Sequence, residues 1–126
     1  EESVKDLIDS INLTSKVKIT HSISGLKYES LKQDVHLGVY RILQEQLNNV
    51  IKHAEASEVK VELEQTNGLL HLSVTDNGKG FQVKGKKDGI GLINMQTRAE
   101  SLNGTFYLES KPGQGCSISV IVPCLS

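Results

Sequence analysis

Two runs of strictly alternating residues flank an Asn-Gly pair, and this pattern limits the possible folds more than any other feature of the chain. Val59, Val61 and Leu63 alternate with Lys60, Glu62 and Glu64; Leu70, Leu72 and Val74 alternate with His71 and Ser73. A period of two places the apolar side chains on one face of a strand and the polar ones on the other. Asn67-Gly68 between the runs suits the positive φ angles of a two-residue hairpin turn. A hairpin with one apolar face is marginal alone in water, so another layer must cover it.

The remaining periodicity supplies that layer. Between Lys32 and Lys52, Val35, Val39, Ile42, Leu43, Leu47 and Val50 form one buried stripe of a long helix. Val4, Leu7, Ile8 and Ile11 mark an earlier helix, and Val17 and Ile19 alternate with lysines in a short strand before a loop around Ser24-Gly25. Leu92, Met95, Ala99 and Leu102 mark a third helix, with Asn103-Gly104 placed to cap its end. Thr105–Ser110 and Cys116–Pro123 read as strands around the turn Lys111-Pro112-Gly113-Gln114-Gly115. The order predicts an α/β (α+β) two-layer sandwich: a mixed, mainly antiparallel sheet with helices on one face. At 126 residues, with no repeat and no composition break, residues 1–126 are expected to form a single domain.

Composition narrows the function classes. The net charge of −1, from 14 basic and 15 acidic side chains, argues against a nucleic-acid partner. It leaves room for an anionic ligand held by local groups. No apolar run nears the ~18–20 residues that cross a bilayer, so no direct membrane contact is expected. Glu1-Glu2-Ser3 lacks the basic start of a signal peptide. Cys116 and Cys124 lie on one expected strand, about 26 Å apart when extended, too far for a bridge. Reduced thiols and a cytoplasmic setting are expected. The chain opens in the manner of a helix interior, which suggests a piece of a longer protein.

Three places could carry chemistry. Arg41, Glu45 and Asn49 fall at i, i+4 and i+8 on the long helix, and Lys52 and His53 complete the next turn of that face. A carboxylate, an amide oxygen and a lysine aimed together can organise Mg²⁺ and phosphate oxygens; a solvated helix face has the same spacing. Asp76-Asn77-Gly78-Lys79-Gly80-Phe81 follows an apolar strand directly. A carboxylate there can accept from an exocyclic amine while the glycines admit a close ligand; ordinary turns use the same residues. Gly89-Ile90-Gly91-Leu92 opens a helix, where free amides and the helix dipole favour phosphate. Neither a P-loop nor a Rossmann fingerprint is present, and the histidines and cysteines lack zinc-ligand spacing.

Together and in this order, the three places resemble the GHKL ATPase superfamily, and within it the catalytic domains of two-component sensor histidine kinases. Residues 41 to 54, Arg-Ile-Leu-Gln-Glu-Gln-Leu-Asn-Asn-Val-Ile-Lys-His-Ala, resemble that family's N box. Asp76-Asn-Gly-Lys-Gly80 and Gly89-Ile-Gly-Leu-Ile-Asn-Met resemble its two glycine boxes, and residues 110 to 123 its closing hairpin. The resemblance runs from about Asp34 to Pro123 and implies that ATP and Mg²⁺ are bound. It makes Asn49 the Mg²⁺ ligand and Glu45 the residue that orients or deprotonates the nucleophile. Lys52 and His53 are expected near the phosphates and Asp76 on the adenine amine, with Gly78 and Gly80 shaping the pocket floor. Gly89 and Gly91 are expected to hinge the lid and offer amides to the phosphates, and Leu92 and Ser117 are expected among the nucleotide-binding residues. The implied reaction moves the γ-phosphoryl group to a histidine on a separate dimerisation domain of the same kinase, and a response regulator receives it next. None of His21, His36, His53 and His71 is positioned as that acceptor.

Two departures stand out. Where relatives carry threonine after the closing glycine, this chain has Cys116, followed by Ser117, and a thiol is a poor hydrogen-bond partner for contacts near adenine. The lid between Phe81 and Asp88 is short and basic, with Lys84, Lys86 and Lys87, and resembles kinases related to nitrate and membrane-fluidity sensors. The superfamily also contains docking modules without turnover and serine-kinase anti-sigma factors. The intact Glu45, Asn49 and Asp76 set argues against the first; His53 after Lys52 and the short lid argue against the second.

Overall fold

The computed structural model describes residues 4–27, 31–80 and 92–124. Its elements are α1 (Val4–Thr14), β1 (Lys18–Ser24), α2 (Gln33–Asn49), a π-helical segment (Val50–Ala54), β2 (Glu58–Thr66) and β3 (Leu69–Asp76). After them come α3 (Leu92–Ser101), β4 (Thr105–Ser110) and β5 (Cys116–Pro123). The five strands form one sheet in the order β1-β2-β3-β5-β4. β1 and β2 run parallel, joined through α2, and the other neighbours are antiparallel. The mixed, mainly antiparallel sheet is therefore as expected.

Alternation decides which face is covered. Val59, Val61 and Leu63 of β2, Leu70, Leu72 and Val74 of β3 and Ile118, Val120 and Val122 of β5 are buried. They pack with Val35, Val39, Ile42, Leu43 and Leu47 of α2 and with Leu92, Met95 and Ala99 of α3 in one core. The opposite face carries Lys60, Glu62, His71, Ser73 and Ser119; there the His71 Nε2 and Ser119 Oγ atoms hydrogen-bond at 2.6 Å. Asn67 and Gly68 take φ of 53° and 79°, the pair of positive angles the hairpin requires.

At the end of α3 the Asn103-Gly104 pair caps the helix as expected: Asn103 takes the left-handed conformation, with φ of 62°. Gly104 donates its amide to the Ala99 carbonyl at 2.9 Å, and a Cβ there would run into Val122 and the Ile121 carbonyl. At the sheet edge, the Asn12 side chain of α1 holds both backbone groups of Ile19. The Ile19 amide donates to Oδ1 at 2.8 Å and Nδ2 donates to the Ile19 carbonyl at 3.0 Å. That pairing occupies an edge which would otherwise invite another strand. Among the described residues no helix is long and apolar enough to cross a membrane.

Candidate functional site

Asp76 is the last residue of β3 and continues the buried alternation of Leu70, Leu72 and Val74. It thus ends an apolar row with a carboxylate, 5% exposed. Its Oδ1 accepts from the Gly78 amide at 2.8 Å, and the Cys116 amide also bonds to the carboxylate. Burial raises the Asp76 pKa above the ordinary carboxylate value, against the opposite pull of those two amides. A fixed, partly desolvated acceptor of this kind suits a ligand that arrives with N–H donors.

The loop after Asp76 is held from two sides. On one side the Lys79 amide donates to the Ala54 carbonyl at 2.7 Å. There Asn77 Oδ1 accepts from the Ser57 and Glu58 amides at 3.0 Å each, and its Nδ2 donates to Ser57 Oγ at 3.0 Å. On the other side the Gly113 amide of the β4–β5 turn donates to the Lys79 carbonyl. Gly78 and Gly80 are needed because these approaches are close: a Cβ would collide with the Ala54 carbonyl at the first and the Lys111 carbonyl at the second. Three segments far apart in sequence therefore meet at Asp76: the end of the long helix, the glycine loop and the closing hairpin.

On α2, Arg41 is exposed, Glu45 half-buried and Asn49 8% exposed. The polar stripe is therefore not a solvated face throughout; it turns inward over two turns. The expected continuous α register then fails, because Val50–Ala54 is π-helical and closes at Glu55 with φ of 53°. Lys52 and His53 are exposed on this wider turn, and π segments recur where function displaces regular hydrogen bonding.

The other expected residues divide. Leu92 begins α3 at 1% exposure inside the core, while Gly89, Gly91 and the lid lysines lie outside the described residues. Ser117 takes the sheet face opposite Asp76, because neighbours on a strand alternate, and its Oγ lies 3.2 Å from Thr75 Oγ1. The structure so separates Ser117 from the helix side and gives that side to Cys116. A cleft of about 410 Å³ borders Thr75, Asp76, Glu109, Lys111, Gln114 and Ser117. It flanks Asp76 at the sheet end, and neither Glu45 nor Asn49 borders it.

Cys116 is the register partner of Asp76 across the β3–β5 pair. Burial, and then the nearby Asp76 charge, push its thiol up to about 11. Gln46 Nε2 contacts the Cys116 sulfur at 3.8 Å, which brings the helix turn between Glu45 and Asn49 against this strand pair. Sequence reasoning assigned Gln46 no role. The available signal was a glutamine four residues from both Ile42 and Val50, inside the apolar stripe.

Comparison with known proteins gives the context. Residues 34–126 match the family described as histidine kinase-, DNA gyrase B-, and HSP90-like ATPase. The sensor protein VraS of Staphylococcus aureus (strain COL) is 37% identical over 123 residues, covering 97% of this chain and 35% of VraS. VraS of Staphylococcus haemolyticus (strain JCSC1435) is also 37% identical over 123 residues, covering 97% of this chain and 34% of that protein. The chain thus spans about a third of the length of these relatives. The fold is similar to that of the Erythrobacter litoralis EL346 blue-light activated histidine kinase, with a TM-score of 0.75 at 16% identity, covering 95% of this chain and 40% of that one. A solved histidine kinase domain from the same protein gives a TM-score of 0.71 at 17% identity, over 94% of this chain and 56% of that one.

Proposed function

This chain belongs to the histidine kinase-, DNA gyrase B-, and HSP90-like ATPase family, and from that premise we propose that it is the ATP-binding catalytic part of a longer sensor histidine kinase. In this reading it binds ATP with Mg²⁺ and transfers the γ-phosphoryl group to a histidine on a separate dimerisation domain, from which a response regulator is charged. The observation that carries the reading is the meeting of three segments at Asp76. The Lys79 amide donates to the Ala54 carbonyl at the end of the helical stretch that bears Glu45 and Asn49, and Asn77 Oδ1 accepts from the Ser57 and Glu58 amides just beyond it.

The roles follow from chemistry. Asp76 accepts from the exocyclic amine of adenine, with Gly78 and Gly80 keeping its surroundings free of side chains. Asn49 offers an amide oxygen to Mg²⁺. Among the described residues no cluster of three or more His, Cys, Asp or Glu could hold a metal. Such sparse donors fit an ion carried largely by phosphates and water. Bound there, Mg²⁺ supplies charge neutralisation at the phosphates. Glu45, one turn before Asn49, orients or deprotonates the incoming histidine. Lys52 and His53 face the phosphates from the π-helical turn. Positioning and charge account for most of the rate in such transfers.

The test is a calorimetric titration with a non-hydrolysable ATP analogue, with and without Mg²⁺, on the unmodified chain and on Asp76→Ala. Binding that strengthens with Mg²⁺ and is lost in the variant supports the reading; no binding in the unmodified chain ends it. A transfer assay with a histidine-bearing helical domain completes the test. Acid-labile label on that domain is expected, and acid-stable label would assign a serine acceptor instead.

A further inference from the structure

Gln46 is the buried polar side chain that the roles above leave unused. It lies in the apolar stripe of α2 at 3% exposure. Among the described residues its Nε2 reaches the Cys116 sulfur, at 3.8 Å, and its Oε1 is buried without a hydrogen-bond partner. A buried amide oxygen left unpaired bears its full desolvation penalty. Methionine or leucine would fill the same stripe without it, so packing alone does not account for glutamine here.

Its location suggests the missing partner. Cys116 is paired in register with Asp76, and its amide bonds to the Asp76 carboxylate. The unpaired oxygen therefore belongs to a side chain one contact removed from the carboxylate that takes the base. With the Gln46 Nε2 turned to the Cys116 sulfur, the Asp76 carboxylate and the Gln46 Oε1 are the two acceptors of this corner, which suits a base edge rich in N–H groups. A 6-oxo purine would present an acceptor to it.

We propose that Gln46 is a base-positioning residue: its Oε1 accepts a hydrogen bond that arrives with the nucleotide, directly or through one water, and sharpens preference for a 6-amino over a 6-oxo purine. This rests on the nucleotide reading of the site. Through Cys116, Gln46 also links the base corner to the helix turn that carries Glu45 and Asn49, so correct base seating and phosphate alignment share one element.

The test compares non-hydrolysable ATP and inosine triphosphate analogues by calorimetry on the unmodified chain, Gln46→Met and Gln46→Leu, with thermal unfolding of each ligand-free protein. Both variants are expected to lose about tenfold in affinity for the adenine analogue, worth about 1.4 kcal/mol, with the inosine analogue unaffected. Their ligand-free unfolding midpoints are expected to rise, because the unpaired acceptor is gone. The pair guards against one variant failing to fold. Unchanged base preference in a folded variant, or equal losses for both nucleotides, overturns the assignment while leaving the ATP reading intact. Absence of nucleotide binding in the unmodified chain overturns both.

Discussion

The Lys79 amide donates to the Ala54 carbonyl at 2.7 Å, fastening the glycine loop to the end of the long helix. Gly78 lies in the same contact, where a Cβ would collide with the Ala54 carbonyl oxygen and crowd the Ala54 Cβ. Gly78→Ala is expected to push loop and helix apart, destabilising the chain by about 1–3 kcal/mol, the usual range for overpacking. Nucleotide affinity should fall with it. Urea unfolding and analogue titration on one preparation check both effects; undisturbed stability would mean that the loop relaxes freely.

Asn77 sets the angle of that loop through its three side-chain bonds to Ser57 and Glu58. Because these groups are exposed, water replaces part of what is lost, and Asn77→Ala is expected to cost about 1 kcal/mol. Asn77→Asp keeps the acceptor that serves two amides, so it should retain most of the stability. Equilibrium unfolding of the two variants separates them; equal losses would assign the effect to the amide donor on Ser57.

Local pattern and distant packing account for what could be read from the residues. Alternation and the Asn67-Gly68 turn made the β2–β3 hairpin legible, and the bounds of β4 and β5 were read as they stand. Alternation carries no record of partners, so neither the parallel β1–β2 pairing nor the insertion of β5 between β3 and β4 could be read. The Asp76, Gly78 and Gly80 cluster was visible because glycine spacing reports close backbone approach. The π turn was not, since a 3.6-residue period was assumed through Lys52 and His53. The alternation of β5 already carried the division by which Cys116 pairs in register with Asp76 and Ser117 with Thr75.

Asp76 makes a prediction in which stability and binding move in opposite directions. Its pKa lies above the ordinary 3.8, chiefly through burial. Between 3.8 and the raised value the folded chain binds more protons than the unfolded one, so stability falls as pH rises through that window. Asp76→Asn removes the charge and keeps an oxygen for the Gly78 and Cys116 amides. The variant should match or exceed the unmodified chain in unfolding free energy at pH 7, with the difference narrowing toward pH 4, while adenine-analogue binding is lost. The unmodified chain should itself bind more weakly as pH drops toward the raised value. A less stable variant at pH 7 would show that the two amide bonds outweigh burial.

Cys116 extends the same reasoning to alkaline pH. Its thiol is raised from 9.0 to about 11 by burial first and the Asp76 charge second, against smaller pulls from Gln46 and Ser110. The unfolded chain therefore loses this proton first. The contribution to stability is fully present below 9.0 and is lost as pH rises through about 11. Two units correspond to about 2–3 kcal/mol across the window. Cys116→Ala is expected to show a shallower alkaline decline than the unmodified chain, the two converging as pH increases from 8.5 toward 11. Below pH 8 the folded chain should also resist alkylation at this position, since thiolate is the reactive form. Urea unfolding at stepped pH, paired with mass mapping after iodoacetamide, measures both. Parallel declines in the two proteins, or rapid labelling at neutral pH, would mean that the thiol is not held in its protonated form by Asp76 and the surrounding core.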